Sequence, residues 1–236
     1  MSEELIKIDF QKIIKKAFDD FRREVIDDFD EYMDFYEANN HIAIENNVKD
    51  GWGLMYSFTP SEYLTPMDYD SEKRNEYFLK LFDNSDDKLL EVEFERIINY
   101  MGAGWKNSLR ECLSLIQENK FSVTIPFLIS MLEKVMNKTL NQGEIKWGER
   151  LRSDFRAKVE TLPEDDFVTI NAVKILSIFD NYIFKNQVNS YNDVPLFNRN
   201  LIQHGNDEPD RWTKVDVLKI ITLIAGLIMV DEELKK

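Results

Sequence analysis

Residues 213–230 read TKVDVLKIITLIAGLIMV, the most apolar stretch of the chain. Thr213 and Asp216 stand at capping-box spacing, with Asp where Glu or Gln is usual, and mark the start of a helix. From Val217 to Val230 the apolar residues fall on every face rather than along one stripe. A helix of that kind is central in a bundle or lies against a partner subunit. It is not a membrane span, because the run Ile220 to Val230 is interrupted by Thr222 and falls far short of the roughly 20 residues that crossing needs.

The rest of the chain supplies amphipathic helices to surround it. Phe10, Ile14, Phe18, Phe21, Val25, Phe29, Tyr32 and Tyr36 keep a helical period, which predicts one long helix from Phe10 to about Ala38. His41 to Asp70 has no sustained period and carries Gly51-Trp52-Gly53, Thr59-Pro60 and Thr65-Pro66, so it reads as loop, with a short strand pair around Gly53–Phe58. Helices are expected from Ser71 to about Phe82, and from Ser85 as N-cap to a stop at Gly102-Ala103-Gly104, the domain boundary. Beyond it, Trp105 to Ile116 reads as a helix. Ser122 caps the next one, with Pro126 in its first turn and a stripe from Ile125 to Leu140. A basic helix ends at Leu162-Pro163, Val168 to Phe184 is helical, and Pro195 opens a short helix that runs into His204 and stops at Gly205. The reading is all-α in two parts, residues 1–102 and 103–236.

Composition agrees with it. In 236 residues, 43% hydrophobic content with 16 Phe, 9 Tyr and 4 Trp is enough for a real core, and eight Gly with six Pro are too few for a turn-dense sandwich or barrel. The one cysteine, Cys112, excludes an internal disulfide and a multi-cysteine metal site; it lies on an apolar stripe and reads as core. With two histidines, His41 and His204, a histidine-rich metal centre is not expected, and no cofactor is assigned. The opening residues lack the basic then apolar pattern of a secretory signal, so the expected location is cytoplasmic, with no membrane association. Net charge is −14, and residues 1–102 hold 25 Asp+Glu against 12 Lys+Arg, a net −13. The second part is therefore near neutral. Strong acidity argues against generic nucleic-acid binding, but that acidity belongs to the first hundred residues.

Chemistry concentrates in Asn198-Arg199-Asn200-Leu201-Ile202-Gln203-His204-Gly205. Asn200 and His204 are four apart and share a helix face, with Arg199 one step around. An imidazole moves protons at neutral pH and a guanidinium forks onto phosphate oxygens, so the pair is the minimum for metal-free phosphodiester cleavage. The same spacing is also met by residues that only cap or bridge helix ends.

The Arg199-Asn200-x-x-x-His204 segment, set before a long apolar helix, resembles the R-x4-6-H signature of the HEPN superfamily. A second likeness lies in Leu109-Arg110-Glu111, Asn119-Lys120-Phe121-Ser122 and Phe127 to Glu133, which look like the paired helices that precede that motif. The resemblance covers about residues 105–236 and implies a helical bundle that dimerises with two motif helices face to face. In active members it implies a metal-independent endoribonuclease. It would make Arg199 and His204 catalytic, with Asn200 orienting them and Glu133 in support. Attack by a ribose 2′-hydroxyl needs a base and an acid, and a homodimer supplies the second histidine; the apolar final helix offers a pairing surface. Two positions past the histidine, where some members carry a modified Tyr, Asn206 stands, and Asp207, Glu208 and Asp210 would repel RNA unless turned away.

Other residues have a functional and a structural reading. Glu133 could equally be a boundary residue paired with a base. Lys146, Arg150, Arg152, Arg156 and Lys158 could track an RNA backbone or line a solvated face. Trp52, Tyr56 and Tyr63 could stack bases or plug the surface, and His41 has no acid–base partner in sight. The function expected is single-stranded RNA cleavage in a toxin, stress or phage-defence setting. The alternative is a non-catalytic dimeric module whose acidic first part binds a basic protein partner or mimics nucleic acid.

Overall fold

A computed structural model describes residues 39–84, 88–140, 145–163, 167–185 and 197–235. The expected helix over 10–38, the Ser85 cap and Pro195 lie outside them. The described residues form helices and no strand, which bears out the all-α class read from the sequence but not its short strand pair. The chain divides into residues 1–39 and one compact unit, Asn40–Lys236, and the Gly102–Gly104 turn lies inside that unit.

The elements are α1 (39–49), α2 (Pro60–Leu64), α3 (Ser71–Asn84), α4 (Lys88–Met101), α5 (Lys106–Gln117), α6 (Phe121–Leu140), α7 (Gly148–Val159), α8 (Phe167–Ile178), α9 (Arg199–Gln203) and α10 (Lys214–Glu233). The core is built around α10. Its capping box forms as read, Thr213 accepting from the Asp216 amide while the Asp216 carboxylate accepts from the Thr213 amide at 2.8 Å. Every residue from Val217 to Asp231 is buried, chiefly against α6 and α8 and further against α3 and α4. This single chain therefore covers the helix on all sides, and the pairing surface expected there is not available: its apolar faces are spent inside the bundle.

The expected strand pair at Gly53–Phe58 is not formed. Residues 52–55 form no regular element, and their amides pair with side chains: Gly53 N donates to Thr222 Oγ1 at 3.0 Å and Leu54 N to Asn171 Oδ1 at 3.4 Å. A Cβ on Gly53 would stand 2.6 Å from the Thr222 carbonyl oxygen, so only glycine lets this backbone lie on that of α10. The supposed loop before it is α1, with Ala43, Ile44, Asn47 and Val48 buried at helical spacing. Trp52 and Tyr63 are core plugs rather than stacking surfaces. Trp52 stacks on Phe78 at 4.6 Å between centroids, and Tyr63 donates its hydroxyl to the Trp52 carbonyl at 3.2 Å. Lys219, buried beside them 5.7 Å from the Trp52 ring, has its pKa lowered by burial.

Three boundaries differ from the reading. α6 starts at Phe121, so Ser122 lies inside it and Pro126 is its sixth residue. α8 does not run evenly to Phe184; it widens over Phe179–Ile183, where Phe184 N reaches back five residues to Phe179 O at 2.8 Å. Such wide turns often sit beside functional sites. Finally, α9 is a five-residue helix with His204 as its C-cap.

Candidate functional site

Asn198 builds α9. It is 1% exposed, and its Oδ1 accepts from the amides of Asn200 at 3.0 Å and Leu201 at 3.1 Å, which caps the helix. Its Nδ2 donates to the carbonyls of Tyr182 at 2.7 Å and Lys185 at 3.1 Å, tying α9 to the wide turn after α8. At the other end Gly205, at φ +69°, closes the helix. Gly205 N bonds Ile202 O at 3.2 Å and Asn206 N bonds Leu201 O at 2.8 Å, a Schellman closure that leaves His204 at a fixed corner. The helix lies along α6: Gln203 Nε2 donates to Pro126 O at 3.1 Å and to Ser130 Oγ at 3.0 Å.

That docking places Arg199 opposite Glu133. The guanidinium donates Nε to Glu133 Oε1 at 3.0 Å and Nη2 to Oε2 at 3.4 Å, a two-point grip between residues 66 apart in sequence. Its Nη1 donates to Asn200 Oδ1 at 3.2 Å. The side chains are 25% (Arg199) and 15% (Glu133) exposed, so the pair is partly desolvated yet reachable from solvent. Three of the four nominated residues thus come together. His204, one turn on, is exposed, and its ring makes no hydrogen bond to a described residue.

The other nominated groups sort clearly. Asp207 is turned inward with its side chain 1% exposed, accepting from Arg211 Nε at 2.7 Å and Trp212 Nε1 at 3.1 Å, whereas Glu208 and Asp210 are exposed. The basic stretch is not a free cationic track. Lys146 and Arg152 are buried, Lys146 on Asp154 and Arg152 on Phe184 O and Glu149, while Arg156 pairs with Asp180. Cys112 is buried, which pushes its thiol up to about 12 and leaves it inert as a nucleophile at neutral pH. Tyr56 alone of the three loop aromatics reaches solvent; Arg96 sits 4.4 Å above its ring, and burial together with Glu232 pushes its hydroxyl up to about 12. His41 is exposed on α1.

Two residues were missed. Asn198 carries a signal that could have found it, an N-cap residue type directly before the motif arginine. Trp147, at 65% exposure, carries none beyond being a tryptophan in a polar turn. Among the described residues no cluster of His, Cys, Asp and Glu forms a metal site, and no helix is long and apolar enough to cross a membrane. Compared with family models, curated proteins and solved structures, the chain finds no match in any of the three.

Proposed function

We propose that the protein is a HEPN-like, metal-independent endoribonuclease acting on single-stranded RNA. The observation that carries the reading is the Glu133–Arg199–Asn200 cluster, with the exposed His204 one helical turn away. In this reading Glu133 and Asn200 hold the guanidinium, whose remaining donors face the scissile phosphate and stabilise its developing charge. His204 takes the proton of the ribose 2′-hydroxyl, whose oxygen bonds to phosphorus as the bond to the 5′ oxygen breaks. A second His204, from another copy, gives the leaving oxygen its proton. The products are a 2′,3′-cyclic phosphate and a 5′-hydroxyl. With α10 enclosed, the pairing face is the α6–α9 surface around the histidine, and the setting is one of toxin action, stress or phage defence in the cytoplasm.

The test is incubation of the full chain with single-stranded RNA in EDTA beside His204→Ala and Arg199→Ala. Cleavage is expected to fall by roughly 10²- to 10⁴-fold in either variant. Cleavage that is absent in the parent or equal in all three refutes the reading.

A second reading rests on the same ion pair. Arg199 spends three donors on Glu133 and Asn200, as a scaffold arginine would, which suits a non-catalytic dimeric module whose acidic first part docks a basic partner. Retention of biological effect in the Arg199→Ala/His204→Ala double variant would favour it.

A further inference from the structure

Residues 145–147 lead into α7 outside any helix, Trp147 in an extended conformation, and α6 holds them. Asn137 grips the main chain of Lys146 from both sides, accepting from its amide at 2.8 Å and donating to its carbonyl at 3.0 Å. The Lys146 side chain is buried and paired with Asp154. Lys146 is turned into the bundle, and Ile145 and Trp147 on either side of it face solvent. They are 57% and 65% exposed, and Trp147 is the most exposed large hydrophobic among the described residues. Its backbone is held as well, because it precedes α7 and its carbonyl accepts from Leu151 N at 3.4 Å. A large flat ring is thus presented to solvent on a braced backbone.

Its position gives it a use. The Asn137 amide also donates to the Glu133 carbonyl at 3.0 Å, so the residue that grips the 145–147 segment is one turn along α6 from the residue that grips Arg199. That turn is about 6 Å along the axis. Glu133, which holds Arg199, and Asn137, which anchors the segment before Trp147, therefore stand one turn apart on α6, with Gln203 and then His204 toward the opposite end of the row. Lys185, exposed at the end of the wide turn after α8, is held at its carbonyl by Asn198 and Asn200 beside α9. An indole face accepts any unpaired base, while the Arg199 guanidinium suits a linking phosphate. Two apolar side chains fall well short of the roughly 800 Å² per partner of a stable protein interface, which favours a base over a protein surface.

We propose that Trp147 is a stacking platform for an unpaired base of a single-stranded RNA whose phosphate lies at Arg199. The proposal rests on the ribonuclease reading for the identity of the strand, and it explains a preference for unpaired RNA, since a base within a duplex cannot present its face. Ile145 extends the apolar floor.

The experiment uses the full chain with His204→Ala, which binds without cutting, and a fluorescein-labelled oligouridine in EDTA. Binding is expected to quench tryptophan emission, and adding Trp147→Ala is expected to abolish that quenching and weaken binding by about 5- to 100-fold. Trp147→Phe should retain most of the affinity, and the thermal midpoint should be unchanged because the side chain is exposed. Equal affinity in Trp147→Ala and its parent overturns the platform, whether or not wild-type protein cleaves RNA. So does a Trp147→Ala variant that only loses self-association in sedimentation. Trp147-dependent binding without cleavage by wild type supports the platform and sinks the nuclease reading; no RNA binding sinks both.

Discussion

Asn198 serves two purposes with one amide, and substitution separates them. Asn198→Ala removes the cap of α9, about 1 kcal/mol within a range of roughly 0.5–2. It also takes the donor from the carbonyls of Tyr182 and Lys185, about 1 kcal/mol for each buried bond. The Lys185 carbonyl keeps Asn200 Nδ2 at 3.4 Å, so the second loss is partial and the total is about 2–3 kcal/mol. Asn198→Ser keeps the cap and loses the tie, for about 1–2 kcal/mol. Asn198→Asp keeps the acceptor but sets a buried carboxylate against two carbonyl oxygens, and falls to the level of alanine or below. Urea unfolding followed by circular dichroism reads the series as midpoint shifts at constant slope, about 1 M for alanine at a slope near 2–3 kcal/mol/M. RNA cleavage measured well below the transition should fall for Ala and Asp more than for Ser. An alanine variant within about 0.5 kcal/mol of wild type, or a serine variant as unstable as alanine, refutes the two-part account.

Gly53→Ala should cost about 1–3 kcal/mol in thermal unfolding, because the new methyl meets rigid α10 backbone at 2.6 Å. Gly104→Ala, with nothing within 4 Å, should be neutral beside it. Cys112 keeps its proton in the folded state up to about 12, while the unfolded thiol ionises near its ordinary value. Its contribution is therefore fully present below about pH 8.5 and is lost as pH rises toward 12; Cys112→Ala should flatten that alkaline fall in a pH series of unfolding midpoints. Glu133→Gln keeps the shape but loosens the grip on Arg199, and should lower cleavage about tenfold while shifting stability by no more than about 1–2 kcal/mol in a urea titration.

Periodicity made most of this fold legible. The capping box at Thr213 and the all-round apolar run after it announced a helix either central or set against a partner, and the stripes of α4 and α6 announced two of the helices packed on it. Where the reading failed, the deciding contact was remote. Residues 52–55 stay out of a strand pair because Thr222 and Asn171 satisfy the Gly53 and Leu54 amides, and nothing local to Gly53 encodes that. α1 was masked by its own polar residues, since Asn47 is buried and donates to the Tyr63 carbonyl at 2.8 Å in the place where an apolar residue would have completed the stripe. At the candidate site, Glu133 and Arg199 were nominated together by the resemblance, but the contact between them depends on how α9 lies along α6. The exposure of Trp147 follows from Asn137, a partner ten residues back with no motif to betray it.

The enclosure of α10 has a consequence for how the chain acquires its structure. Gly53 and the Thr222 side chain that accepts from it are separated by 169 residues, and faces on α3, α4, α6 and α8 all close on a helix synthesised after them. A ribosome releasing this chain from its N-terminus exposes those faces until residues 214–233 emerge, so the core cannot be completed piecemeal. A chain cut anywhere before Thr213 lacks the helix that its remaining elements pack against, and is a client for chaperones or proteases rather than a smaller working unit.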